Sequence, residues 1–446
     1  MKKSRTRDII VVGFALFAMF LGAANIIFPP YLGANSGEQF LLAILGFTLT
    51  GTGLPMLGIL ATSSAGGLAE SVPEKVGPRF ARVFITLLVL FIGPLFAVPR
   101  TAATTVELSV VPFLPDSFPS HLILPIGSAV FFTICLYFVL SPSNAIDKIG
   151  SILTPFLLVF LLGMIILSVV RPIDTPVAMS EVYNKYGSFH AGFTTGYQTM
   201  DALAAMLFCS FVTGTLKDKG YNQEESKKIM VPVTLICGLG TSIVYGGFIW
   251  IGASGSKYLQ GIESYGELTV KAVELLGGLA GQIVLALIIF LACCTTAIGL
   301  IMTASDYFYK LFKEKISYRT LAIIITLISY AISIIGVNGI IILAVPILEV
   351  IYPSVIILFV LNLLGRHIKY REVYIFALIF AIPAIALNIL DLYQSTKDWA
   401  DYWLKFFPLG DAGFGAFIPA ALGAVIGHYF AKYRGSEEIS YETANS

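Results

Sequence analysis

The chain has 446 residues, of which 57% are hydrophobic and 12% are charged, and its formal net charge is +1. A soluble domain carries roughly 25% charged residues, so a chain this apolar is expected to lie in a lipid bilayer along its whole length. The small net charge gives no support for a nucleic-acid partner.

Apolar runs that are long enough to cross the hydrocarbon core, about 20 residues each, recur from one end of the chain to the other. They predict an all-α polytopic membrane protein of about twelve transmembrane helices, the first of them a retained helix. The predicted spans are 8–30, 38–62, 80–106, 121–141, 147–171, 189–216, 226–254, 277–309, 318–336, 338–365, 371–391 and 410–433. The connecting segment 254–276 is predicted to form a surface helix or lid.

Lys and Arg residues are concentrated in alternate connecting segments, beginning with Lys2, Lys3, Arg5 and Arg7. Cytoplasmic loops are enriched in these residues, so both termini are predicted to be cytoplasmic. The segments predicted to face outside hold only Arg171, Lys185, Lys257, Lys271, Lys397 and Lys405. A miscounted helix would invert every later loop and remove this asymmetry.

Two predicted spans contain sequences that are typical of broken helices. The first span includes Gly22-Ala23-Ala24 followed by Pro29-Pro30, and the sixth span includes the stretch from Gly192 to Ala202. Breaks in corresponding helices of two halves point to the binding site of a transporter. We expect Pro29-Pro30 to lie in the first turn of the second half-helix, whose free N–H groups suit a carboxylate. A contact between small residues of neighbouring helices is the alternative explanation.

The stretch Phe20–Pro30 with the following Asn35-Ser36-Gly37 resembles the start of the branched-chain amino acid:cation symporters, the type II branched-chain amino acid carriers. More distantly, it resembles the neurotransmitter:sodium symporters, with Ala24 in place of a second glycine. The resemblance implies a 5+5 inverted repeat with broken helices 1 and 6, repeats at 8–171 and 189–365, and two extra helices at 371–433. It also implies uptake of Leu, Ile or Val with a coupled cation by alternating access.

The resemblance extends to the adjacent hydroxyl residues of the eighth span, Thr295 and Thr296. It implies that Na⁺ binds to both hydroxyls and to the carbonyls of Ala18, Leu21 and Ala292. The alternative is that these hydroxyls only bond to carbonyls of their own helix. Some proton-coupled relatives of this fold place a lysine from helix 5 at the sodium position. Here no charged residue lies between Ile149 and Val170, so the resemblance favours Na⁺ over H⁺ as the coupling ion, but Asp201 keeps H⁺ coupling open.

The resemblance also places the substrate carboxylate at the second half of helix 1 and its amine at helix 6 carbonyls between Gly196 and Thr199. The predicted substrate-binding residues are Gly22, Ala23, Ala24, Asn25, Gly196, Tyr197, Gln198, Thr199, Asp201, Thr296 and Leu300. Helix 3 from Phe96 to Arg100 is expected to line the apolar pocket. An ionisable residue inside a membrane is expensive and usually functional, so Asp201 is interpreted as an amine sensor, a proton carrier or a support for the unwound backbone. Arg100 either lines the pathway or reaches towards the interface, and Asp306 is expected to be a helix-end charge.

Other classes of function are less consistent with the sequence. A membrane enzyme would need a catalytic constellation, but the four histidines, His121, His190, His367 and His428, lie at predicted helix ends or loops. No His-Glu-x-x-His, Gly-x-Ser-x-Gly or phosphate-binding loop occurs, and the five cysteines are interpreted as packing residues. A channel usually has filter loops or charged rings. The expected partners are therefore a small-molecule substrate and lipid, with no obligate protein partner, and the nearest alternative is transport of another small neutral substrate.

Overall fold

The computed structural model describes residues 5–115, 117–140, 145–365, 368–393, 395–407, 410 and 415–438. Lys2, Lys3, Arg366 and His367 therefore lie outside the described residues. All regular structure in the described part of the chain is helical. The α-helices are α1 (Arg5–Phe20), α2 (Ala24–Ser36), α3 (Phe40–Phe47), α4 (Leu54–Ser64), α5 (Pro78–Leu90), α6 (Ala97–Ser109), α7 (Ser120–Val139), α8 (Ala145–Val170), α9 (Gly187–Tyr197), α10 (Asp201–Asp218), α11 (Gln223–Ser254), α12 (Ser256–Leu259), α13 (Tyr265–Leu311), α14 (Tyr318–Ser333), α15 (Gly336–Leu363), α16 (Arg371–Asp391), α17 (Lys397–Leu404) and α18 (Phe417–Arg434).

Every predicted span overlaps at least one of these helices. Within the described ranges, 7 helices are long and apolar enough to cross a membrane, or 8 if the bent pair α9 and α10 is one span. This count is lower than the predicted twelve because the helices from Ala24 to Ser64 run on as one, and because α1 and α14 have only 16 residues each. Helices that are joined end to end, or that are cut short, therefore account for much of the difference between the two counts.

Large apolar side chains point outward from these helices. Ile342 is 71% exposed, Val170 is 70% exposed and Leu41 is 66% exposed. Apolar area on this scale is unfavourable in water, and it marks surfaces that contact a membrane or another apolar partner. The exposed side chains thus agree with the prediction from composition that the chain lies in a bilayer.

One compact unit comprises Met1–Gly53, Val89–Asp201 and Val233–Ile342. Its α13 packs against α2, α6, α7, α8 and α14. A Cβ atom at Gly33 would overlap the Ile249 carbonyl, and one at Gly252 would overlap the Pro30 carbonyl. The backbones of α2 and α11 therefore touch, as small residues permit between membrane helices, and this contact fixes the position of α2.

The long helix α13 is interrupted at Gly278, where φ is 57° and ψ is −151°. We call the part of α13 that precedes this break, residues 265–277, the arm. The arm and α12 are helical, as predicted for segment 254–276. Ser264 caps the arm by accepting a hydrogen bond from the Glu267 N–H at 3.3 Å, as an N-cap serine does. The Tyr265 ring lies 5.2 Å from the Phe28 ring, so the arm packs on α2.

The segment between α8 and α9 is tied to its neighbours by backbone hydrogen bonds. These are Asp174 N–H to Ser254, Glu38 N–H to Val177 and Ser180 N–H to Asn35, each 2.9 Å. The Asp174 carboxylate also accepts hydrogen bonds from Lys257 Nζ and the Tyr258 hydroxyl, each at 3.0 Å. The Lys257 bond, with smaller contributions from the Thr175 N–H and Tyr258, lowers the pKa of Asp174 to about 2.

The second compact unit comprises Leu54–Leu88, Ala202–Pro232 and Leu343–Ser446. Its α16 packs against α17 and α18. A Cβ atom at Gly423 would overlap the Phe376 carbonyl, so α16 and α18 also meet backbone to backbone. Asn362 Nδ2 donates to the Ala61 carbonyl at 2.7 Å, which joins α15 to α4. The predicted repeat boundaries, 8–171 and 189–365 with 371–433, remain a prediction.

Candidate functional site

The first predicted break is present. α1 ends at Phe20 and α2 begins at Ala24, so Leu21, Gly22 and Ala23 belong to neither helix. The Gly22 N–H donates to the Phe20 carbonyl at 2.8 Å, whereas a continuous helix would direct it to the Ala18 carbonyl. Two of the three predicted break residues therefore lie in the break, and the third, Ala24, starts the second half-helix.

The predicted place of Pro29 and Pro30 is wrong. They are the sixth and seventh residues of α2 and lie inside the helix rather than in its first turn. Proline has no N–H, so the Asn25 and Ile26 carbonyls lose their donors four residues later. Helix α2 begins earlier than expected because the chain already changes direction at Gly22 and Ala23. The N-terminal tip of α2 is therefore formed by Ala24 and Asn25.

The second predicted break lies between α9, which ends at Tyr197, and α10, which begins at Asp201. The two helices are bent by 44°. Met200 has a φ of 65°, a left-handed conformation that is uncommon for a residue other than glycine. The Thr199 hydroxyl closes the end of α9 by donating to the Gly196 carbonyl at 2.9 Å.

Gly196 and Tyr197, both predicted to bind substrate, lie on the last turn of α9. A Cβ atom at Gly196 would overlap the Thr50 hydroxyl, so packing against the neighbouring π-helical segment Thr48–Gly53 already explains a glycine here. Tyr197 is half-buried, and its ring lies 5.2 Å from the Phe193 ring in an edge-to-face arrangement. Of these two residues, Tyr197 has the side chain that is able to shape a pocket.

Asp201 links the two breaks. Its Oδ2 accepts a hydrogen bond from Asn25 Nδ2 at 2.6 Å and one from the Tyr245 hydroxyl at 3.2 Å. Asn25 Nδ2 also donates to the Tyr245 hydroxyl. All three side chains are buried. Sequence reasoning found Asn25 and Asp201 but missed Tyr245, since nothing distinguishes it among the chain's 21 tyrosines.

Arg100 reaches the second break from α6. Its Nη1 donates to the Gln198 carbonyl at 2.8 Å and its Nη2 to the Thr199 carbonyl at 3.3 Å. The guanidinium carbon lies 5.4 Å from the centre of the Phe28 ring on α2, within the range of a cation–π contact. Arg100 is 3% exposed, so it lies in the interior of the protein. Two of the carbonyls that were predicted to receive the substrate amine thus already have a cation.

The side chain of Gln198 lacks the kind of hydrogen-bond partner that its backbone carbonyl has in Arg100. Its Oε1 is buried and has no hydrogen-bond partner within the described parts of the chain. A buried acceptor without a donor costs free energy. The amide oxygen therefore offers a position for a ligand N–H beside the end of α9.

The paired hydroxyls on α13 have different surroundings. Thr295 Oγ1 donates to the Ala292 carbonyl at 2.9 Å, so two of the predicted ion ligands are neighbours. Thr296 Oγ1 is buried and finds no partner among the residues that the structure describes. A Cβ atom at Gly22 would lie 3.5 Å from it, so this hydroxyl faces the break in the first span. Leu300, one turn further along α13, is buried.

Two further expectations are confirmed. Asp306 forms an ion pair of 2.6 Å with Lys310, and both side chains are more than half exposed, as expected of a helix-end charge. All five cysteines are unpaired and buried, as expected of packing residues.

A sequence model of the family described as "Branched-chain amino acid transport protein" matches residues 5–434. The chain belongs to this family. It is 36% identical to the branched-chain amino acid permease BraB of Bacillus subtilis (strain 168), over 96% of each chain. It is 34% identical to the permease BrnQ of the same organism, over 97% of this chain and 99% of the relative. The family consists of transporters, so the chain is a membrane transporter and not an enzyme.

Solved structures with the same fold are found at low sequence identity. One is Mhp1, a nucleobase-cation-symport-1 family transporter in a closed conformation with bromovinylhydantoin bound, at a TM-score of 0.62 and 18% identity, covering 95% of this chain and 92% of that one. Another is MhsT in complex with L-phenylalanine, at a TM-score of 0.56 and 18% identity, covering 93% and 98%. These neighbours confirm the predicted inverted-repeat fold with broken helices.

Proposed function

We propose that this member of the family imports leucine, isoleucine or valine by symport with Na⁺. The observation that carries the ion assignment is the buried Thr296 hydroxyl, which has no partner in the described structure and faces Gly22. The names of BraB and BrnQ support the substrate class. The two broken helices support a binding site in the middle of the membrane.

The substrate carboxylate is assigned to the tip of α2. The first N–H groups of a helix lack intrahelical acceptors and carry partial positive charge. Ile26 and Ile27 both direct their N–H groups to the Ala23 carbonyl, so Ala24 and Asn25 provide the remaining donors of the tip. A carboxylate at this tip would satisfy them.

The substrate amine is assigned to the Gln198 side chain, which has the unpaired Oε1. This modifies the expectation from sequence, because Arg100 already bonds to the Gln198 and Thr199 carbonyls. The branched side chain is assigned to the apolar surface that Tyr197, Leu300 and helix 3 near Phe96 are predicted to provide. A compact aliphatic group suits such a surface because it needs no hydrogen-bond partner.

Na⁺ is assigned to the hydroxyls of Thr295 and Thr296 and to the carbonyls of Ala18, Leu21 and Ala292. A hard cation prefers oxygen ligands, and neutral oxygens suffice for a single charge. The residues fit this role in two respects. The Thr296 hydroxyl needs a partner, and the Gly22 N–H is withdrawn from the Ala18 carbonyl.

Coupling to H⁺ through Asp201 is the second candidate. Asn25 and Tyr245 both donate hydrogen bonds to the same carboxylate oxygen. Both donors belong to the framework around the two breaks, so the carboxylate is suited to a permanent structural link between them rather than to a proton carrier. We therefore assign Asp201 to the support of the unwound backbone and the coupling to Na⁺.

The proposed cycle is alternating access in the bacterial cytoplasmic membrane, with both termini in the cytoplasm. The concentration of Lys and Arg in alternate connecting segments supports this orientation. Na⁺ entering down its gradient drives net uptake. The chain's own contribution is to hold the two breaks together through Asn25, Asp201 and Tyr245 while a ligand binds beside them.

Competition for uptake tests the substrate class. The purified protein is placed in liposomes with an inward Na⁺ gradient, and uptake of radiolabelled leucine is measured against excess unlabelled amino acids. We expect isoleucine and valine to compete strongly, whereas lysine and glutamate do not. Equal competition by alanine, serine and valine would contradict the assignment to branched-chain substrates and favour a general transporter of neutral amino acids.

A further inference from the structure

The carbonyls of Gln198 and Thr199 follow the end of α9 at Tyr197, and they lie inside the protein, where they need donors. The C-terminal end of a helix carries partial negative charge and attracts a cation. Arg100 supplies one from another helix, through hydrogen bonds of 2.8 Å to Gln198 and 3.3 Å to Thr199. The cation position at this break is thus filled by the protein itself.

The same guanidinium also lies close to α2. Its carbon is 5.4 Å from the Phe28 ring centre, and Phe28 is one turn from Ala24, the first residue of α2. The positive charge of Arg100 and the positive end of α2 therefore belong to one region of the compact unit. The Asp201 carboxylate, which is bonded to Asn25 at the tip of α2, lies there too, so the guanidinium offsets its negative charge for an incoming ligand.

We propose that Arg100 is the positioning residue that makes this site select for a carboxylate. By filling the cation position at the end of α9, it adds its charge to that of the α2 tip and leaves the Gln198 side chain as the acceptor for an amine. This inference rests on the proposed function and deepens it, because it states which end of the amino acid is indispensable. A ligand with a carboxylate and no amine is therefore bound more tightly than a ligand with an amine and no carboxylate.

Two analogues of leucine separate the two ends. 4-Methylpentanoate lacks the amine, and 3-methylbutylamine lacks the carboxylate, and both retain the branched side chain. Thermal unfolding of the purified full-length protein in detergent is measured with increasing concentrations of each. We expect 4-methylpentanoate to stabilise the protein at concentrations about tenfold lower than 3-methylbutylamine, the effect of one charge-assisted interaction. Equal stabilisation, or the reverse order, would overturn the proposal.

Substitution of the arginine tests its role directly. In Arg100→Gln we expect the preference for 4-methylpentanoate to fall about tenfold, because the amide retains donors for the Gln198 and Thr199 carbonyls but not the charge. Arg100→Lys keeps the charge and should restore most of the preference, which a merely structural role for Arg100 would not predict. Arg171→Gln removes an exposed arginine and should leave the preference unchanged. An unaltered preference in Arg100→Gln would refute the assignment.

Leucine uptake distinguishes this inference from the proposed function. In proteoliposomes we expect Arg100→Gln to raise the KM for leucine about tenfold with a smaller change in kcat, as for a lost binding interaction. If the parent protein takes up no leucine but prefers 4-methylpentanoate in the unfolding assay, the proposed transport function fails while the role of Arg100 stands. If uptake is normal and the preference is absent, the role of Arg100 fails alone.

Discussion

Replacing Thr296 by valine is expected to increase the stability of the folded protein but to weaken Na⁺ binding. The side chains have nearly the same shape, but valine has no hydroxyl. Thr296 Oγ1 is buried without a partner in the described part of the protein, and such a group destabilises a folded protein by about 1–3 kcal/mol. We therefore expect Thr296→Val to be more stable than the parent by about 1 kcal/mol when Na⁺ is absent.

In the presence of Na⁺ the order should change. An ion at 100 times its Kd stabilises the folded protein by about 2.7 kcal/mol, so the parent should gain stability as NaCl replaces choline chloride at constant ionic strength. Thr296→Val should gain little, because it lacks one of the proposed ligands. Thermal unfolding in detergent, followed by tryptophan fluorescence, measures both effects.

A matched control lies on the same helix. Thr303 Oγ1 bonds to the Gly299 carbonyl at 2.8 Å, so its hydroxyl is satisfied within α13. Thr303→Val should lose about 1 kcal/mol or less and keep the full gain from Na⁺. The reasoning would be refuted if Thr296→Val were less stable than the parent without Na⁺ and still showed the parental gain with it.

Three further substitutions test other contacts. Tyr245→Phe removes a donor to the Asp201 carboxylate and should lower stability by about 1–3 kcal/mol, measured by thermal unfolding. Gly33→Ala forces a Cβ atom onto a backbone carbonyl and should lower stability by more than about 3 kcal/mol, whereas Gly163→Ala, with nothing within 4 Å, should be neutral or slightly stabilising. Asp174→Asn should reduce the hydrogen-exchange protection of segment 174–180 at pH 7, because Asp174 loses its charge.

The pH dependence of that segment has a definite sign. The pKa of Asp174 is lowered from 3.8 to about 2, so its contribution is fully present above pH 3.8 and is lost as the pH falls towards 2. Protection factors in the parent should therefore be constant from pH 5 to pH 8. A loss of protection between pH 7 and pH 5 would contradict this account, as would parental protection in Asp174→Asn.

The general fold was accessible from sequence because a bilayer imposes a simple rule on it. Each span needs a long apolar run, and every predicted run overlaps a helix. The two breaks were also found, because Gly22-Ala23 interrupts one run and a polar stretch before Asp201 interrupts the other. The point at which α2 restarts was misplaced, since the position of proline alone does not determine whether it lies in the first or the second turn of a helix.

The contacts of the site were only partly predictable. Arg100 and Gln198 are 98 residues apart, and Asn25 and Tyr245 are 220 residues apart, so no local pattern reports that they meet. The resemblance identified Thr295 and Thr296 together, but only the structure distinguishes the satisfied hydroxyl from the unpaired one. A residue such as Arg100, whose partners are backbone carbonyls, produces no recognisable pattern in a single sequence, because every residue has a carbonyl.

Radiolabelled leucine uptake into proteoliposomes, with an inward Na⁺ gradient and an inward H⁺ gradient imposed separately, tests the central claim most directly. The account predicts accumulation of leucine above equilibrium with the Na⁺ gradient, none with the H⁺ gradient alone, and loss of the Na⁺-driven accumulation in Thr296→Val. Accumulation driven only by H⁺ would contradict the ion site at Thr295 and Thr296 and move the coupling role to Asp201. Absence of leucine accumulation under both gradients would contradict the proposed function itself.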